Sequence, residues 1–295
     1  MIKVEQLTKR FTPEKGLFDL NFDVKKGEVF GYIGPNGAGK STTIRHLMGF
    51  MKPDTGESSI NGLNCWNKSS DVQKLVGYLP GEIVFLEGMT GLRFLTLLQN
   101  MRKQTDTKKR DELIERFQLD VKTPIRKMSK GMKQKVGIIA AFMHEPEVLI
   151  LDEPTSGLDP LMQRVFIDLI LEEKQKNKTI LMSSHSFQEI ERTCDSAGMI
   201  KDGRLVALED MHSLRSVQRR VFDVKVKNEI DVDIILQSSL QAEVTGKNSI
   251  HVTVQGNDQD FVQLLSQCEV EHLDTRPQDL EDIFMHYYDR RDVAR

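Results

Sequence analysis

Apolar residues alternate with polar ones over Ile2, Val4 and Leu7 and again over Leu20, Phe22 and Val24, and a short apolar run, Val29 to Ile33, follows. Each stretch is bounded by Lys, Gly or Pro, a pattern that predicts three β-strands. After a glycine-rich turn the spacing changes to three or four residues through Ile44, Leu47 and Met48, which predicts a helix over residues 41–50, while Gly49 to Gly62 read as loop and a short strand. From about residue 92 to 145 the helical period dominates, with Leu92, Leu95, Leu98, Leu113 and Phe117 three or four apart within each run. Strand signals return at Val148–Leu151, Thr179–Met182 and Ala197–Ile200, separated by helical stretches Leu161–Glu173 and Phe187–Cys194. Strands alternating with helices predict a mostly parallel sheet, with the block from Leu92 to Met143 as a helical insertion.

A second unit begins after Ser213. It reads strand (Val221–Val226), helix (Val232–Leu240), strand (Ala242–Thr245), strand (Ile250–Val254), helix (Phe261–Cys268) and strand (Val270–Asp274). A last helix, 277–288, opens with Pro277 at a first-turn position and carries Leu280, Ile283, Phe284 and Tyr287 at helical spacing. The order is that of a split β-α-β arrangement. Residues 1–215 and 216–295 are therefore expected to be two domains.

Composition narrows the classes. The chain has 295 residues, 39 % hydrophobic and 29 % charged, with few Pro and Gly, which fits globular domains and excludes collagen-like or disordered classes. The longest apolar run, Val136 to Met143, is far shorter than the ~20 residues a membrane span needs. The N-terminus has no signal-peptide pattern, and three scattered cysteines, Cys65, Cys194 and Cys268, predict reduced thiols in a cytosol. Net charge is −3, and residues 216–295 carry 9 Lys and Arg against 15 Asp and Glu. No basic surplus marks a nucleic-acid footprint, so no nucleic-acid partner is expected.

The segment Gly34, Pro35, Asn36, Gly37, Ala38, Gly39, Lys40, Ser41 fits G-x-x-x-x-G-K-[ST], after a predicted strand and before a predicted helix that continues with Thr42 and Thr43. Glycines open backbone conformations closed to other residues, so successive N–H groups can turn inward around phosphate oxygens at a positive helix end. Lys40 would reach the β/γ-phosphates of a nucleotide, and the Ser41 hydroxyl would ligate Mg²⁺. The apolar run Val148–Leu151 ends in Asp152 and Glu153, as a buried strand delivering acidic groups to a sheet edge would. Asp152 would hold Mg²⁺ through water and Glu153 would act as general base.

With these motifs in order, residues 1 to about 215 resemble the ATP-binding subunit of ABC transporters. Met128 to Gln134, containing Ser129, Lys130, Gly131 and Met132, looks like the signature segment, 23 residues before Asp152. Ser156-Gly157-Leu158-Asp159 looks like the D-loop, His185 like the switch histidine, and Phe11 like the aromatic that stacks on adenine. Singly, Ser129 also reads as a helix cap, Asp159 as a turn, His185 as a polar strand end and Phe11 as a core or surface aromatic. The resemblance implies an α/β fold: a P-loop core, an antiparallel N-terminal β-subdomain, a helical insertion at about 82–145, and a small α+β C-terminal domain that reinforces a dimer or regulates. It also implies that two cassettes meet head to tail, the signature of one covering ATP on the other, with Asp159 communicating across the interface and His185 holding the γ-phosphate and water.

Two departures stand out. Where the family places a glutamine after a strand, the chain reads Leu79-Pro80-Gly81-Glu82, and Glu82 is open to two readings: facing Mg²⁺ or a coupling segment, or a solvated carboxylate. Lys130 and Met132 stand where glycine and glutamine are usual, so Lys130 is expected to add charge beside the partner's nucleotide. Both departures resemble the exporter branch that includes antibiotic-peptide and multidrug efflux systems. The implied function is an ATPase, homodimeric or heterodimeric, on the cytoplasmic face of the cell membrane, driving a separate transmembrane permease that docks near residues 80–102. A soluble ABC ATPase acting on ribosomes or DNA is the alternative; the single P-loop and the absence of a heptad insertion weigh against it.

Overall fold

The structure is a computed structural model describing residues 1–211, 213–214, 220–254 and 259–277. The chain divides into two compact units, Met1–Glu209 and one from Asp210 onward. The first runs β1 (Ile2–Arg10), β2 (Gly16–Val24), β3 (Val29–Ile33), α1 (Lys40–Leu47), β4 (Thr55–Ile60), β5 (Leu63–Asn64), α2 (Ser69–Leu75) and β6 (Val76–Leu79). It continues with α3 (Gly91–Met101), α4 (Lys108–Arg116), a 3₁₀ turn (Ile125–Lys127), α5 (Lys130–Phe142), β7 (Val148–Asp152), α6 (Pro160–Gln175), β8 (Thr179–Ser184), α7 (Phe187–Thr193), β9 (Ser196–Lys201) and β10 (Arg204–Asp210).

An antiparallel sheet, β2-β1-β4-β5, forms the N-terminal layer. The step from Val4 to Leu7 is three residues, out of phase with a flat strand. The strand absorbs it in a bulge: the register shifts there, Gln6 takes φ +50°, and Leu7 returns to the buried face. The short strand expected between Gly49 and Gly62 is the six-residue β4, Thr55–Ile60, and Gly56 admits the bulged backbone, since a Cβ there would lie 2.2 Å from the Gln6 carbonyl.

The second sheet has the order β10-β9-β3-β8-β7-β6, and its five strands from β9 to β6 are parallel. Strands β3, β7 and β8 are buried at every residue, which explains why they read as continuous apolar runs. One core joins the two sheets through α1: Phe22 stacks on Phe30 at 5.2 Å beside Tyr32, with Ile44 and Leu47 packed into the same cluster. Because β3, β8, β7 and β6 are parallel, the loops that follow them leave one edge of the sheet, where side chains distant in sequence converge. Among the described residues no helix is long and apolar enough to cross a membrane.

The second unit is β11 (Arg220–Val226), α8 (Glu229–Leu236), β12 (Gln241–Gly246), β13 (Ser249–Val254), α9 (Gln259–Leu265) and β14 (Val270–Pro277). Its antiparallel sheet has the order β12-β13-β11-β14, two interleaved β-α-β units around Phe222, Val224, Ile235, Ile250, Val252 and Phe261. Both helices start earlier than their apolar spacing suggested, because polar residues open their first turns. Pro277 ends β14; the remainder of the helix expected over 277–288 lies outside the described residues.

Candidate functional site

The loop after β3 is shaped by close approach and backbone conformation. A Cβ on Gly34 would lie 2.4 Å from the Ile200 carbonyl, and Gly39 takes φ +116°, a left-handed value that glycine tolerates. Helix α1 then starts at Lys40, its first N–H groups facing the loop. An open pocket of about 170 Å³ is lined by Pro35, Asn36, Gly37, Gly39, Lys40, Ser41, Thr42 and Glu153. Gly34 and Ala38 support it from behind, Ala38 accepting from the Gly203 N–H at 2.9 Å. Thr43 does not line it: its buried hydroxyl bonds the Gly39 carbonyl at 3.1 Å and Tyr32 Oη at 3.2 Å.

Lys40 is 6 % exposed and turns back across the loop; Nζ donates to the Gly34 carbonyl at 2.5 Å and stands 3.3 Å from Glu153 Oε1. Glu153 Oε2 bonds His185 Nδ1 at 2.6 Å. One carboxylate therefore bridges an ammonium and an imidazole at the mouth of the pocket. Glu153 itself has φ +50°, a conformation rare outside glycine and worth of the order of 1 kcal/mol in strain. Its surroundings hold it there: its N–H donates to Ser183 Oγ at 3.0 Å, and Gln134 Nε2 donates to the Glu153 and Pro154 carbonyls at 3.2 and 2.8 Å.

Asp152 is buried at the end of β7, accepting from Ser183 Oγ at 2.5 Å. Gly81 passes close to its other oxygen, since a Cβ on Gly81 would lie 3.1 Å from Oδ2; Glu82 beside it is exposed. Ser41 and Asp152 offer hard oxygen donors of the kind Mg²⁺ takes alongside phosphate oxygens. Phe11 is 56 % exposed, which removes the reading of a packed core residue.

Residues 17–156 match the family model described as ABC transporter. The chain is 35 % identical over 246 residues to the bacitracin transport ATP-binding protein BcrA of Bacillus licheniformis, covering 80 % of this chain and 78 % of that protein. The chain belongs to the ABC transporter family. A solved ATP-binding subunit of an ABC transporter superposes with a TM-score of 0.67 at 35 % identity over 73 % of this chain and 92 % of that one. The bacterial cassette MJ0796, solved as a dimer, gives 0.65 at 23 % identity over 72 % and 99 %, a likeness of fold. The protein is the ATP-binding cassette of an ABC transporter, an ATPase that hydrolyses ATP for transport.

In this cassette Ser129 caps α5 by accepting from the Met132 N–H at 3.2 Å, and Asp159 caps α6 by accepting from the Met162 N–H at 3.0 Å. The capping reading of Ser129 therefore holds in the single chain, Asp159 caps a helix where the local reading is a turn, and neither residue lines its own chain's pocket. The signature segment rests on the D-loop: a Cβ on Gly131 would lie 2.6 Å from the Gly157 carbonyl, and the Lys130 stem crosses Gly157. Lys130 Nζ donates to Ser156 Oγ at 2.9 Å, so within the single chain its ammonium is bonded to the D-loop. Sequence reasoning gave no role to Gln134, Ser183, Thr155 or Glu189, which surround Asp152, Glu153 and His185. Gln134 lies inside the signature segment, the one signal that pointed toward it; for the other three the signal is spatial.

Proposed function

We propose that this cassette pairs head to tail with a second one around two MgATP and powers export through a separate membrane-spanning permease. The observation that carries the reading is the Lys40–Glu153–His185 constellation at the mouth of a pocket whose walls come from the phosphate loop and Glu153 alone. Main-chain N–H groups and Lys40 would bind the phosphates, Glu153 would take a proton from the attacking water, and His185, oriented by its bond to Glu153, would hold that water and the γ-phosphate. Ser41 and Asp152 would hold the Mg²⁺ that enters with ATP and neutralises phosphate charge. The outer side of the pocket lacks donors from its own signature, so Ser129 and the first N–H groups of α5 in a second cassette would close it. That second cassette is an identical copy or a different subunit.

Exposed apolar side chains Val84, Leu86 and Met101 along residues 80–102 suit docking of a permease segment, which would place the protein on the cytoplasmic face of the membrane. Export, and of an antibiotic peptide or drug, is suggested by the similarity to a bacitracin transport protein. The test is purification from membranes together with its partner, identification of that polypeptide and its spanning helices, and sedimentation of Glu153→Gln with and without MgATP. A membrane-spanning companion and an ATP-dependent dimer are expected; full turnover by an obligate monomer overturns the paired reading.

A further inference from the structure

Behind the catalytic edge lies a buried hydroxyl–carboxylate network that the mechanism above does not use. Glu189, on α7, is 8 % exposed; its Oε1 accepts from Thr155 Oγ1 at 2.5 Å and its Oε2 from Ser184 Oγ at 2.9 Å. Thr155 and Ser184 are themselves buried. Thr155 is two residues past Glu153 and Ser184 immediately precedes His185, so one carboxylate is fastened to both loops that carry the catalytic pair. The Ser184 hydroxyl also accepts from the Ser186 N–H at 2.9 Å, which fixes the turn on the far side of His185.

Helix α7 is anchored in turn. Ile190 occupies the space left by Gly31 of β3, where a Cβ would come within 2.7 Å of Ile190 Cγ2, and Thr193 Oγ1 donates to the Glu189 carbonyl at 2.7 Å. The phosphate-loop strand is thus packed on Ile190 of α7, and the Glu153 and His185 loops are tied to Glu189 of the same helix. An apolar residue would fill this space at less desolvation cost, whereas a carboxylate imposes direction on two hydroxyls. The His185 side chain is 68 % exposed, so its place depends mainly on its backbone and on the bond to Glu153.

We propose that Glu189 is a positioning residue for hydrolysis, holding the two loops so that His185 Nδ1 stays within hydrogen-bonding distance of Glu153. The inference rests on the roles given above to Glu153 and His185. Misplacement of reacting groups by about 1 Å can lower a rate some hundredfold, so Glu189→Ala is expected to lower kcat tenfold or more, to about the extent that the loops relax. KM for ATP and binding of the fluorescent analogue TNP-ATP should change less than about twofold, since the phosphate loop is untouched. Glu189→Gln, which keeps shape and one acceptor, should recover part of the rate. Added to Glu153→Gln, Glu189→Ala should slow the residual rate no further, because both act on one step.

Steady-state ATPase assays on the full-length protein, with thermal melting of each variant, test this. Should Glu189→Ala fail to fold, Thr155→Val and Ser184→Ala each break one tie with the carboxylate retained, and each should lower kcat with KM unchanged. Wild-type kcat in a folded Glu189→Ala, a loss confined to KM, or full additivity with Glu153→Gln overturns the positioning role. An inactive Glu153→Gln beside a fully active Glu189→Ala overturns that role alone; a fully active Glu153→Gln instead overturns the catalytic assignment on which it rests.

Discussion

Replacing Glu153 by Gln should move ATP binding and ATP turnover in opposite directions. The carboxylate stands 3.3 Å from Lys40 Nζ, with side-chain exposures of 21 % and 6 %. At an effective dielectric of ~20 that separation corresponds to a Coulomb attraction of roughly 5 kcal/mol, an upper figure. The Glu153 side chain is partly exposed although its Oε1 is buried, and Lys40 keeps its bond to the Gly34 carbonyl, so the net release on neutralising the carboxylate is taken as about 1 kcal/mol. Lys40 would then be freer for phosphate, and ATP should bind about fivefold more tightly. Loss of the general base should at the same time lower turnover by about 10²–10⁴. Phosphate release at saturating MgATP, measured beside calorimetric ATP binding, separates the two. A fold defect would weaken both. Phosphate release at the wild-type rate refutes the base assignment, and weaker ATP binding refutes the competition between Glu153 and phosphate for Lys40.

If the Lys130–Ser156 bond ties the signature to the D-loop, Lys130→Met and Ser156→Ala should each slow turnover about two- to fivefold without changing KM, and the double variant should be no slower than either; a rise in KM in Lys130→Met alone would instead mark a direct nucleotide contact. Burial, and secondarily the nearby Arg102, pushes the His144 imidazole down to about 4. The unfolded chain binds that proton below about pH 6.5 and the folded one does not, so stability is lost as pH falls from 6.5 toward 4, by about 2 kcal/mol at pH 5. Urea midpoints should therefore fall less between pH 7 and 5 in His144→Gln than in wild type; equal declines would refute this. If the second unit reinforces the dimer, deleting residues 216–295 should weaken ATP-dependent association in sedimentation, and unchanged association would exclude that role.

The phosphate loop was legible because its requirements are local. The spacing from Gly34 to Ser41 is demanded by main-chain conformation, and Gly39 adopts the left-handed φ such a turn needs. The apolar runs of β3 and β7 were legible because both faces are covered, and Asp152 and Glu153 follow directly at the edge. Local pattern was coarser where neighbours in space set the conformation: the short strand expected between Gly49 and Gly62 is β4, whose glycine accommodates the bulge of β1, and the Lys130–Ser156 bond joins residues 26 apart that no local spacing connects.

The sequence by itself determined the phosphate-loop motif and the order of strand, turn and helix around it, because these follow one another within a few residues and each enforces its own backbone geometry. Only the tertiary structure decided which groups meet. His185 lies 32 residues from Glu153 along the chain, and they touch because β8 is inserted beside β7 in a parallel sheet. The Glu189 network and the support of Glu153 by Gln134 arise in the same way. Strand order is a property of the whole packed core, settled by burying β3, β7 and β8 on both faces at once, and no local period along the chain records it.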